Sequence, residues 1–129
     1  MRKIDKIVIH CTDTRSGRFV SLNDVRRWHV EGNGWSDIGY HYLILLDGSI
    51  EVGRDLGKIG AHCFGHNSNS IGICYVGGGS GFDTRNFEQK QALKCLVSIL
   101  VSVFGSISVH GHNEFSSKSC PNFDVSNEF

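Results

Sequence analysis

Two imidazoles and a thiol stand at positions from which they could hold a metal ion. The chain carries seven histidines and five cysteines in 129 residues. His10 closes the β-branched apolar run KIVIH, His112 closes ISVHGH, and Cys120 follows His112 by eight residues. Zinc takes nitrogen and sulfur ligands at about 2.0–2.3 Å in tetrahedral geometry, and three protein ligands leave a fourth position for water, as in catalytic sites. Spacing alone does not decide the matter. There is no HExxH helix and no CxxC pair, and scattered histidines and cysteines are more often structural. His110 competes with His112 for the same role.

For these residues to meet, the elements between them must fold back on one another. Residues 6–10 read as a buried strand ending at His10. Ser21 is a good N-cap with Asp24 three residues on, and Leu22, Val25 and Trp28 share a face, which predicts a helix from Ser21 to Glu31 stopped by Gly32 and Gly34. Residues 40–46 and 49–53 flank Asp47-Gly48, a strong hairpin signal that predicts two antiparallel strands. Residues 54–70 read as a long surface loop of the kind that carries function. A strand is expected over 71–78, a long helix over 86–104 and a last strand over 107–112, followed by an irregular tail. In the long helix Leu93, Leu96, Val97, Leu100, Val101 and Phe104 recur at three- and four-residue spacing.

That order predicts one α/β (α+β) domain spanning 1–129, with a central mixed sheet of about five strands flanked by helices. Strand C-termini are the natural place for a site on such a sheet. Thirteen basic and thirteen acidic side chains cancel, so no global field favours nucleic acid. No apolar stretch of about 18 residues predicts a membrane span. The N-terminus lacks the apolar core of a signal peptide, so synthesis in the cytoplasm is expected, whatever compartment the protein later acts in. Five cysteines without a secretory signal argue against a disulfide framework. Cys74 and Cys95, inside apolar runs, are expected to be buried.

The local sequence around the candidates carries more. IVIHCT (7–12), DIGYHYLI (37–44), GAHCFGHNSNSIGI (60–73) and VHGHNEFSSKSCPNF (109–123) together resemble, in order, the type-two N-acetylmuramoyl-L-alanine amidases. That family includes short phage lysozyme-amidases and the peptidoglycan recognition proteins of animals. The resemblance spans roughly residues 6–124 and is closest to the phage enzymes. It implies a zinc hydrolase that cuts peptidoglycan between the lactyl group of the sugar and L-alanine of the stem. The metal ligands it implies are His10, His112 and Cys120, with Zn2+ as the cofactor.

The same resemblance makes Tyr40 and Lys118 catalytic, as donors to the oxygen that becomes negatively charged. Tyr40, or else Glu114, would take the proton from water; Glu114 could instead orient a metal ligand or be a solvated loop residue. His62 and Asn67 match positions lining the peptide groove, and Arg54 is expected to face a stem carboxylate. His110 and His41 are expected in packing or supporting roles, and His29 at the surface or along the groove. Where relatives follow the second histidine with Arg-Asp or His-Glu, this chain has Asn113-Glu114. It also stops at Phe129, where phage enzymes usually continue into a helix. A muramyl peptide is the expected partner and a monomer the expected state. Two other roles occur among such proteins: a recognition module that binds the wall without cutting it, and a regulator that binds a polymerase.

Overall fold

Strand β1 (Lys6–Cys11) is the apolar run of the sequence, and every residue in it after Lys6 is buried. The computed structural model describes all residues from Met1 to Phe129. β2 (Tyr42–Ile44) and β3 (Ile50–Val52) form the expected antiparallel hairpin. Its turn places Gly48 at φ +86°, a left-handed conformation that a residue with a Cβ adopts only at a cost. β4 (Ser70–Tyr75) and β5 (Ser108–Gly111) complete a five-stranded sheet in the order β3-β2-β4-β1-β5. β1 lies parallel to β4 and β5, β2 lies parallel to β4, and only β3 runs antiparallel. The sheet is mixed, as expected, and β1 and β4 are shielded on both edges.

Strand alternation divides the core into two layers. Ile7, Ile9, Ile71, Ile73 and Tyr75 pack with Leu93, Leu96, Val97 and Leu100 of helix α2 (Phe87–Phe104). Cys74, Val76 and Leu43 pack on the opposite face with Val20, Val25 and Ile38, beside helix α1 (Leu22–Arg27). Both helices begin with reciprocal capping. The Asp24 amide donates to Ser21 Oγ and the Ser21 amide to Asp24 Oδ2, and Asn86 and Gln89 repeat the arrangement. Beyond Arg27 the first helix widens into a π-helical turn over Trp28–Gly32, so the segment stays helical to its expected end but with altered pitch. Cys74 is buried as expected, whereas Cys95 is exposed. The apolar face of α2 is set by positions 93, 96, 97 and 100. At about 100° per residue, position 95 falls on the opposite side.

The segment after β5 is held by side chains rather than by regular structure. The buried Arg85 guanidinium bridges Asp83 and Glu128 and lies 3.4 Å over the Phe123 ring. The Tyr75 hydroxyl donates to the Pro121 carbonyl at 2.7 Å. Together these contacts fix the chain that follows Cys120.

His41, fully buried, ties the hairpin to β4 and to the 54–70 loop. Its Nδ1 accepts from the Gly72 amide at 3.0 Å, so its Nε2–H donates to the Lys58 carbonyl at 2.8 Å. Burial pushes its pKa down to about 4, against about 6.5 in an unfolded chain. Between those values the unfolded chain binds more protons than the folded one, so stability is full above about pH 6.5 and declines as pH falls towards 4. The loss expected from His41 is about 3 kcal/mol at full protonation. Urea unfolding at stepped pH should show this decline, and His41→Asn, which keeps an acceptor for Gly72, should flatten it.

Candidate active site

The site lies at the C-terminal end of β1, on the face of the sheet that carries α1. Register explains how two of its groups meet. Ile9 pairs with Gly111, so His10 and His112, each one residue further along (His112 opening the turn that ends β5), come to lie side by side. Their ring centroids are 4.6 Å apart. Cys120 returns from the anchored C-terminal segment, and the Cys11 amide donates to its sulfur at 3.2 Å. The ligand atoms of His10, His112 and Cys120 all lie within 4.8 Å of one another.

These three side chains are chemically suited to a zinc ion. Burial, with the His62 and His112 rings and the Lys118 ammonium nearby, holds the His10 pKa well below its ordinary value. Burial and Lys118 also lower that of His112. Both imidazoles are therefore neutral near pH 7, the form that ligates a metal. The Cys11 thiol and burial push the Cys120 thiol up, so it ionises only where a strong local cation favours the thiolate. His110 is not part of this cluster. Its Nδ1 is 2.9 Å from Glu114 and its Nε2 is 2.7 Å from Ser108 Oγ, because it sits two residues earlier on β5, level with Val8.

A single cleft of about 940 Å³ opens over the cluster, and Tyr40, Lys118, His62 and Asn67 all line it. The Tyr40 ring lies 5.2 Å from the His10 ring. Burial and the neighbouring Cys74 thiol raise the Tyr40 pKa well above its ordinary value, so its hydroxyl stays protonated. Lys118 is exposed at the cleft wall, and its backbone amide is tied to Ser116 Oγ. Asn67 closes the loop that frames the cleft, its Oδ1 accepting from the amides of both His62 and Cys63 at 2.9 Å. His29 lines the groove while accepting from the Gly39 amide.

Two expectations change. Arg54 does not line the cleft: its guanidinium donates to the carbonyls of Ile38, Ile59 and Asp37. Those acceptors bind the hairpin to its neighbouring loops and hold the guanidinium away from the cleft lining. Glu114 is likewise outside the cleft, one oxygen accepting the Gly111 amide at 2.7 Å and the other facing His110. It shapes the turn that presents His112. Trp35 and Phe64, neither singled out in the sequence, complete the apolar lining. Phe64 is 98% exposed on its loop, and an apolar residue in a turn-rich segment carries no local signal that it borders a cleft.

Comparison with known proteins shows the family. A profile described as N-acetylmuramoyl-L-alanine amidase matches residues 1–123. The chain belongs to that family. Among its relatives, the endolysin of Escherichia phage T7 is 40% identical over 125 residues, covering 94% of this chain and 82% of that one. Peptidoglycan-recognition protein SC2 of Drosophila melanogaster is 34% identical over 131 residues, covering 94% and 70%. The amidase fold is also seen in the solved N-acetylmuramoyl-L-alanine amidase LysC from Clostridium intestinale. It superposes with a TM-score of 0.85 at 27% identity, covering 98% of this chain and 83% of that one. No helix of this amidase-family chain is long and apolar enough to cross a membrane.

Proposed function

We propose that this chain is a zinc-dependent N-acetylmuramoyl-L-alanine amidase that lyses the bacterial cell wall. The bond cut is the amide joining the lactyl group of N-acetylmuramic acid to L-alanine of the stem. The observation that carries this reading is the convergence of His10, His112 and Cys120 within 4.8 Å in a cleft that Tyr40 and Lys118 also line. A zinc ion held by these three would lower the pKa of bound water towards about 7 and polarise the scissile carbonyl.

The protein's own groups have separable tasks. The Lys118 ammonium and the protonated Tyr40 hydroxyl stabilise negative charge as it develops on the carbonyl oxygen. Tyr40 acts as a donor and not as the base, because burial keeps its proton on. Glu114 supports the His112 turn and takes no proton from the cleft. His62 and Asn67 frame the wall along which the stem peptide lies, with Asn67 acting through the loop amides it binds. Retention of Cys120 as a third donor favours a cutting enzyme over a module that only recognises the wall.

Digestion of purified peptidoglycan with mass spectrometry of the products tests the reading. Free lactyl carboxylates on intact glycan are expected, together with loss of activity on chelation and its return with zinc. New reducing ends would indicate a glycosidase, and binding without cleavage would indicate a recognition module.

A further inference from the structure

His62 makes a contact that a residue serving only the substrate would not need. Its Nδ1 lies 2.9 Å from His10 Nε2, and its Nε2 lies 3.2 Å from Ser70 Oγ, in a row of buried groups. The two rings meet edge to face at 90°, with centroids 4.9 Å apart.

The fold also holds a slot for this ring. A Cβ on Gly72 would stand 2.6 Å from His62 Cγ and Cδ2, and one on Gly60 would stand 2.8 Å from Cδ2. Gly72 lies inside β4, where glycine costs about 0.5–1 kcal/mol relative to alanine. Its backbone does not require glycine, since its φ is not positive, so the ring's close approach is the reason for it. The amides of His62 and Cys63 are both anchored on Asn67 Oδ1. Backbone and ring are therefore both fixed.

We propose that His62 is a positioning residue that sets the tautomer and plane of His10 for metal binding. This rests on the zinc reading above. Two neutral proton patterns fit the row. In one, Ser70 donates to His62 and His62 donates to His10 Nε2, which leaves the proton on His10 Nδ1 and no free lone pair. In the other, His10 Nε2–H donates to His62 Nδ1 and His62 Nε2–H donates to Ser70 Oγ. Only this second pattern leaves His10 Nδ1 unprotonated and free to bind a metal beside His112 and Cys120. An acceptor on the far nitrogen of a ligating histidine fixes the ring and raises its basicity.

Two isosteric replacements separate this role from packing. His62→Asn puts an amide oxygen near the place of Nδ1, whereas His62→Gln puts its polar end near the place of Nε2 and leaves His10 without its acceptor. Zinc affinity is measured by chelator competition. The proton position on His10 is read by nitrogen NMR in the metal-free protein. His62→Gln should weaken zinc binding by about 10–100-fold, while His62→Asn stays near wild type. In metal-free wild type the His10 proton should reside on Nε2, and in His62→Gln it should divide between the two nitrogens. Wild-type affinity in His62→Gln, equal weakening in both variants, or a proton on Nδ1 in wild type would each overturn the proposal. If wild type itself took up no zinc, the metal in the proposed function would fall with it. Stoichiometric zinc in wild type with an indifferent His62→Gln would remove this inference alone.

Discussion

Cys120→Ala should purify as a folded protein without stoichiometric zinc, and its release of stem peptides from peptidoglycan should fall to background. His10→Ala and His112→Ala should likewise lose stoichiometric zinc and activity. The expectation follows from the donor count: two of the three ligands remain, and a bidentate site of neutral imidazoles holds zinc far more weakly than one that includes a thiolate. Folding should survive because Cys120 is only partly buried, at the margin of the larger apolar cluster. The neighbouring chain is held independently by Tyr75 on Pro121 and by the Arg85 bridge to Glu128. A cost of about 1 kcal/mol, usual for substitutions away from the core centre, is expected in urea unfolding. Zinc by atomic absorption, activity on purified walls and circular dichroism on one preparation provide the check. Full zinc and full activity in Cys120→Ala would remove Cys120 from the ligand set.

Tyr40→Phe and Lys118→Ala should separate catalysis from metal binding. Each should keep one zinc per chain and lose about 10²-fold or more in kcat with little change in KM, the pattern of a group that acts on the transition state. Tyr40→Phe removes one oxygen and leaves the ring beside His10, so packing is preserved. The Lys118 side chain is exposed, so its loss leaves no cavity. Lys118→Arg should not restore the rate. It keeps the charge but replaces a compact ammonium with a planar fork that cannot occupy the same point near the reacting oxygen. Lys118→Ala should also ease protonation of His10 and His112, because the ammonium is among the causes of their lowered pKa values. Fully active variants would leave the metal reading intact and remove both donors. Loss of zinc in either would make that residue a support of the metal site.

How much of this was legible in the sequence depended on the range of the interaction that set it. The capped starts at Ser21 and Asn86, the Asp47-Gly48 turn and the β-branched runs of β1 and β4 are decided within a few residues. For that reason strand order along the chain, helix positions and a mixed sheet could be read before any coordinates. The ligand triad was reached by another route. Motif resemblance named His10, His112 and Cys120, while spacing alone left His110 in contention.

Only the tertiary structure placed them: the register between β1 and β5 leaves His110 level with Val8, and His112, one residue beyond the Ile9–Gly111 pair, stacks near His10. The sulfur of Cys120 reaches a backbone amide 109 residues earlier in the chain. His62 meets His10 across 52 residues, and Arg54 spends its donors on three carbonyls drawn from two other segments. Each of these roles depends on which groups arrive within about 3 Å once the sheet has closed, and hydrogen bonds of that range leave no periodicity in the sequence. A residue's type limits what it can donate or accept; its partner is chosen by the fold.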